Sequence, residues 1–232
     1  MINRRQLLLM AASAALLPKA IFASSDAGKK LGWREFKQQM SRLADERLVA
    51  GLEQEAVSER GLAYLQQLDI QSPDFMTAVE DSYESGNRYW LWQRLMKAHN
   101  INGGILNIDS DQLVQLHDHP GATGMVRIIS GEVEVWQFDE VEQNRLQQKQ
   151  GVAELRRFSH GTLKAGDTAV LTPKAGNIHA LRSISKQCRM LDFFIPPYQR
   201  SDRHWYQPLT KNWSEQETVA CKKIAQQDYA DA

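Results

Sequence analysis

The sequence predicts a mainly β protein with a helical segment in front of it. Two observations carry this. Residues 31–100 place apolar side chains at helical spacing, and from about residue 101 the pattern shortens to strands separated by turn residues. A third observation gives the strand-rich part its chemistry: two histidines one residue apart, in Leu116-His117-Asp118-His119-Pro120-Gly121.

The chain has 232 residues, with 28 Lys+Arg against 28 Asp+Glu, 24% charged and 42% hydrophobic residues. These are globular values, and the balanced charge gives no electrostatic footprint for nucleic acid, so none is expected as a partner. Residues 1–23 read as an export signal: the basic start Arg4-Arg5, the apolar run Leu7–Leu17, then Pro18, Lys19 and the small-residue stretch around Ala20 and Ala23. Arg4-Arg5-Gln6-Leu7-Leu8 resembles a twin-arginine signal. That resemblance implies cleavage after Ala23, passage of the folded protein through the twin-arginine machinery, and a periplasmic location. Three of the 28 basic residues lie there, leaving 25 against 28 acids, a formal charge of −3. No later stretch is long and apolar enough to span a bilayer, so no membrane span is expected in the mature form.

Residues 24–100 are expected to be helical. Trp33, Phe36, Met40 and Leu43 mark one helix, Leu62, Leu65 and Leu68 a second, and Ser72-Pro73-Asp74 opens a third with a capping serine before proline. Tyr89-Trp90-Leu91-Trp92 reads as the packing face between helices and sheet, with a ligand pocket as its alternative. Ile101-Asn102-Gly103-Gly104 is read as the helix break. Strand character follows in Gly104–Ile108, Gln112–His117, Met125–Ser130, Glu132–Asp139, Thr168–Leu171, His179–Ile184 and Arg189–Ile195. So many short strands, regularly punctuated, argue for a sandwich or small barrel over residues 101–210. Residues 140–160, polar and Gln-rich, read as a loop or hairpin arm. Residues 211–232 read as a polar tail with a short helix.

Residues two apart on a strand share a face, so His117 and His119 can reach one ion. His179, in Gly176-Asn177-Ile178-His179, is the third candidate. The spacing is too wide for a zinc finger but suits a barrel whose hairpins bring distant ligands together.

His117-x-His119, with Gly131 twelve residues on, resembles the first motif of the cupins, and Gly166, Pro173, Gly176 and His179 resemble the second. Most cupins place a glutamate a few residues after the pair; Thr123 and Gly124 stand there instead. Three neutral imidazoles leave the full charge of a divalent ion on the ligand set, which favours an anionic ligand from the substrate. A thiolate suits this best. Three blocks, Leu116–Thr123, Gly176–His179 and Cys188–Tyr198, are similar in order and spacing to the cysteamine dioxygenase and plant cysteine oxidase family. The resemblance covers roughly residues 100–207.

The resemblance implies a double-stranded β-helix, the cupin jelly-roll barrel, with Fe(II) held by His117, His119 and His179. It implies a thiol dioxygenase that adds both atoms of O2 to a thiol, a small aminothiol or an N-terminal cysteine of a peptide, to give a sulfinic acid. Asp192 matches the family's acid beside the ligands, where a carboxylate accepting an imidazole N–H would fix its tautomer. Tyr198 matches the tyrosine that closes the pocket. Asp192 is unusual even without the resemblance, since it interrupts an apolar strand between Leu191 and Phe193; its alternative is a solvated face. The chain departs from the family pattern with Asp118 in place of an asparagine and Arg203 in place of a cysteine, and the 31–100 segment has no aligned counterpart.

Other residues have plainer readings. His99, His160 and His204 lack matching partners and read as surface or packing histidines. Arg127 reads as solvated, or as a pocket residue able to hold a carboxylate. Cys188 shares strand parity with Asp192 and reads as a buried thiol; a bridge to Cys221 is compatible with an oxidising compartment but has no support in the sequence. The competing functions are a metal-bearing cupin of another activity and a non-enzymatic periplasmic ligand-binding cupin.

Overall fold

A computed structural model describes residues 30–84, 88–89, 91–141, 151–198 and 202–229. The expected export signal, Trp90 and residues 142–150 lie outside them. Among the described residues no helix is long and apolar enough to cross a membrane.

Three helices come first: α1 (Trp33–Val49), α2 (Gln54–Gln67) and α3 (Pro73–Glu84). Helix α1 buries Trp33, Phe36, Met40, Leu43 and Ala44, the stripe its spacing predicts. Among the described residues twelve strands follow: β1 (Arg88–Tyr89), β2 (Trp92–Ala98), β3 (Ile101–Asp109), β4 (Leu113–His117), β5 (Thr123–Ser130), β6 (Glu132–Glu140), β7 (Val152–Lys164), β8 (Thr168–Leu171), β9 (Ile178–Ser183), β10 (Gln187–Ile195), β11 (His204–Pro208) and β12 (Thr218–Ala225). A short helix, α4 (Gln226–Tyr229), ends the described chain.

One sheet has the order β1-β2-β3-β10-β5-β8, and the other six strands close on themselves in the order β11-β12-β7-β6-β9-β4. From β3 to β10 the chain alternates between two four-stranded layers, β3-β10-β5-β8 and β7-β6-β9-β4, except at the β6–β7 hairpin, which stays within the second layer. This is the winding of a double-stranded β-helix, the expected jelly-roll barrel.

Several expectations are corrected. The helical front ends at Glu84; the segment that follows is β1 and β2, which extend the first sheet. Strand β2 escapes a period-2 reading because its register on β3 shifts between Arg94 and Met96. Of the two readings of residues 140–160, the hairpin arm holds over the described part: residues 152–160 lie in β7, which pairs antiparallel with β6 and also with β12. The polar tail contains β12, where Val219 and Cys221 turn inward between exposed Thr218, Ala220 and Lys222.

Gly103 and Gly104 do not break a helix; they lie inside β3. A Cβ at Gly103 would meet the Phe193 ring at 2.1 Å, and one at Gly104 would meet the Trp92 indole at 2.3 Å. Each glycine makes room for an aromatic ring, one on either face of the sheet.

The helices cover the outer face of the first sheet. Phe36, Met40, Leu43, Leu62 and Leu65 pack with Ile101, Ile105, Met125, Leu191, Phe193 and Ile195 in one apolar cluster. Gln54 and Gln66, at the two ends of α2, donate to Thr123 Oγ1 and Thr168 Oγ1 at 3.0 and 3.3 Å and pin the helix along β5 and β8. Arg127 is neither solvated nor in the cavity. Its Nη1 donates to the carbonyls of Leu65, Leu68 and Gln66 at 2.6, 2.8 and 3.3 Å, closing the C-terminal turn of α2. Cys188 and Cys221 are buried, unbridged and in different apolar clusters.

Candidate metal centre and its cavity

Strand pairing brings the three histidines together. His117 on β4 lies opposite His179 on β9 in register, and opposite Trp205 on β11. His119 follows β4 and is clamped by Asn177: its N–H donates to Asn177 Oδ1 at 2.9 Å, and Asn177 Nδ2 donates to its carbonyl at 3.2 Å. The clamp needs the tight turn before β9. Gly176 has φ +62° there, and its N–H donates to Asp139 Oδ1 at 2.7 Å.

The ring centroids are 4.6 to 5.0 Å apart, and one ligand atom from each ring lies within 4.8 Å of the others. No carboxylate joins this group among the described residues. The glutamate position is structurally occupied: Thr123 is tied to Gln54, and a Cβ at Gly124 would meet Leu171 at 2.9 Å. His117 Nδ1 lies 2.8 Å from the Gln115 carbonyl, which can only accept. The ring therefore donates from Nδ1 and keeps the Nε2 lone pair for an ion.

All three rings are buried. Burial, followed by the neighbouring His179 and Arg203 charges, holds His117 well below the ordinary histidine range. Burial, then His117 and Arg203, does the same to His119. His179 is pushed down to about 3 by burial and then Arg203. Three neutral imidazoles, one with a buried Nδ1 that has no hydrogen-bond partner (His119), are what a divalent metal requires of its ligands. The residues present therefore fit a metal.

The histidines open into a cavity of about 120 Å³ between the two layers, also lined by Asp192, Phe194, Tyr198, Arg203 and Trp205. Asp192 is on the cavity side of β10, but the expected bond to a ligand imidazole is not made. Its Oδ1 accepts from Trp92 Nε1 at 2.5 Å, through the space left by Gly104. Burial raises the Asp192 pKa to about 7, against the smaller lowering by the indole hydrogen bond. Tyr198 stands edge-on to His119 and Phe194, with centroids 4.7 and 5.1 Å away. Its hydroxyl accepts a hydrogen bond from Arg203.

The sequence reading missed Arg94 and Asn102 as lining residues; Trp92 belongs to the aromatic run whose alternative reading was a ligand pocket, and Arg203 carried a signal only as a departure from the family pattern. Asp118, between His117 and His119, points away from them: it accepts from the His204 N–H at 2.7 Å and lies 3.2 Å from the Tyr206 hydroxyl, fastening β11 to the end of β4. His204 itself meets Asp118, His160 stacks on Trp136, and His99 is exposed.

Residues 58–229 match the PCO_ADO family. The chain is 25% identical over 128 residues to human 2-aminoethanethiol dioxygenase, covering 46% of this chain and 47% of that protein. It is 31% identical over 101 residues to a probable 2-aminoethanethiol dioxygenase of Dictyostelium discoideum, covering 42% and 43%. It therefore spans about half the length of these curated relatives. Among solved structures, an uncharacterised Klebsiella pneumoniae protein with a double-stranded β-helix domain aligns with a TM-score of 0.36 at 18% identity, covering 51% of this chain and 86% of that one.

Proposed function

The chain belongs to the PCO_ADO family, and from that premise we propose that it is an iron-dependent thiol dioxygenase. The observation that carries the reading is the convergence of three neutral imidazoles, without a carboxylate, in a small cavity between the layers. The names of the relatives point to a small aminothiol as substrate class, with an N-terminal cysteine of a peptide as the larger variant.

The overall step is balanced without a further reductant. A thiol and O2 give a sulfinic acid: the S–H proton is released, both oxygens bond to sulfur, and the four electrons that reduce O2 come from sulfur. Bound Fe(II) would lower the thiol pKa and supply the redox centre for this reaction. The chain's own part is positional. His117, His119 and His179 would hold the ion, with Gln115 setting the tautomer of His117 and Asn177 the backbone of His119. Trp92 holds the Asp192 carboxyl in one orientation beside the ligands. Tyr198 and Phe194 wall off His119 and exclude water from that side.

The test is oxygen uptake by protein loaded anaerobically with Fe(II), offered cysteamine, cysteine, 3-mercaptopropionate and a peptide beginning with cysteine. Uptake with a two-oxygen mass gain on a thiol is expected. Inertness toward every thiol, with iron still bound, would transfer the reading to a metal-bearing cupin of another activity.

Export to the periplasm by the twin-arginine route is part of the same proposal, from Arg4-Arg5 and the apolar run behind them. Replacing both arginines by lysine should hold the protein in the cytoplasm. Unchanged periplasmic recovery would refute that route.

A further inference from the structure

The ladder of β4 stops at His117, which lies opposite His179 and Trp205. Asp118 and His119 lie beyond the strand, so the angle between the two histidines is set by what holds Asp118. Its N–H donates to the His204 carbonyl at 3.1 Å, as a further rung of the ladder would. The return bond is made differently. The His204 N–H goes to Asp118 Oδ1 at 2.7 Å, where a strand would offer a backbone carbonyl. A side chain thus replaces the ladder at the one residue between two candidate ligands.

A side chain can rotate where a ladder cannot, so the second oxygen of Asp118 matters. Oδ2 meets His204 Nδ1 and the Tyr206 hydroxyl, each at 3.2 Å. Asp118 is 8% exposed and Tyr206 1%. The same hydroxyl lies 3.1 Å from Glu140 Oε2. A phenol has one proton to give, and ionised carboxylates only accept. Lys223 decides between them. It lies opposite Tyr206 on β12, donates to Glu140 Oε2 at 2.8 Å and stands 5.5 Å over the Tyr206 ring. The ammonium satisfies Glu140 and leaves the phenolic proton for Asp118. Burial, followed by the two carboxylates, raises the Tyr206 pKa, so the hydroxyl keeps that proton.

We propose that Tyr206 is a positioning residue of the metal centre, acting through Asp118. The strut Lys223–Glu140–Tyr206–Asp118 runs from β12 and β6 to the end of β4, fixes His119 relative to His117, and so sets how tightly the three imidazoles hold a divalent ion. The proposal rests on the assignment of His117, His119 and His179 as ligands. It gives β11 and β12 a part in the site, although neither supplies one of the three histidines.

The test is the affinity for Co(II), from competition with a chelator, in wild type, Y206F, V219A, K223M and E140Q/K223M. The visible absorption bands of bound Co(II) report ligand geometry, and thermal unfolding of the metal-free proteins reports the fold. Y206F keeps the ring and removes the hydroxyl. It should weaken Co(II) binding about tenfold, the lower end of what groups that orient metal ligands contribute, and shift the bands. V219A removes buried methyls from the apolar cluster that holds Tyr206, and should lower Tm with affinity and bands unchanged. K223M leaves Glu140 to compete for the phenolic proton and should weaken binding about threefold, the scale of a part-exposed ion pair. E140Q/K223M removes the competitor and should restore the wild-type affinity. If Y206F fails to fold, K223M and its rescue carry the comparison, since both side chains are part-exposed. Unmoved Co(II) affinity and bands in Y206F, whatever its Tm, overturn the proposal and leave Tyr206 as packing. An unchanged K223M, or a defect that E140Q does not repair, overturns the part assigned to Lys223 and Glu140. Wild type that binds no Co(II), or H179A that binds it as tightly as wild type, overturns the ligand assignment and the strut with it.

Discussion

On one face of β10, Leu191, Phe193 and Ile195 sink into the helices; on the other, Met190, Asp192 and Phe194 line the cavity. The backbone is the same and the period of two is unbroken, yet the two environments differ in kind. The helix side is filled with rings and aliphatic chains: Phe36 meets Phe193 edge-on at 5.2 Å, and the Cβ-less Gly103 admits that ring. The cavity side keeps space, orphaned polar atoms, a carboxyl raised to about 7 and three depressed imidazoles. One strand thus separates a surface that stabilises the fold from a surface that costs stability and offers chemistry.

The comparison is broken most strongly by His179→Ala. Metal content by mass spectrometry should fall to background, and thiol oxidation should drop by on the order of 1000-fold or more, because a ligand set of two imidazoles holds iron poorly. Full activity in this variant would refute the ligand assignment.

Acid should expose the cost of the cavity side in metal-free protein. Each imidazole titrates lower in the fold than in the unfolded chain, so the unfolded chain takes up protons first as the pH falls below about 6.5. Stability should therefore decline from about 6.5 downward, by up to about 1.4 kcal/mol per pH unit for each ring, continuing toward about 3 for His179. Urea unfolding at several pH values measures this, and bound metal should suppress it. A flat profile for the metal-free protein would contradict the buried-neutral description.

Phe193→Ala sharpens the contrast from the other face. Removing a fully buried ring should cost about 3–5 kcal/mol in denaturant unfolding while metal stoichiometry stays unchanged. Loss of metal at equal folded fraction would mean that the two faces are not separable. The smallest effect belongs to Arg127→Met, which frees the carbonyls at the end of α2. A cost of about 1–3 kcal/mol is expected, read as a drop of several degrees in Tm, with metal stoichiometry unmoved.

Helical spacing was enough for the three helices and short apolar runs between turn residues for seven strands, even where, as in β9 and β10, both faces are buried. His117, His119 and His179 were legible for a related reason: turn glycines and period-two spacing fix where such side chains point. Strand β2 was hidden by its bulge at Arg94–Met96, and Gly103-Gly104 resembled a break because their purpose is the rings opposite them. In β12 the signal was present in Val219 and Cys221, but the surrounding charge disguised it.

The residues of this chain by themselves determined the β-rich class, the helical front, the three candidate histidines and the absence of the cupin glutamate, since these depend on local period and residue type. Only the tertiary structure decided that Arg127 closes a helix, that Asp192 faces Trp92, and that Arg94 and Arg203 face one cavity. Those contacts join residues up to about a hundred positions apart, such as Trp92 and Asp192. Which buried charge meets which partner depends on how the two layers and the helices enclose it, and no local pattern records that enclosure.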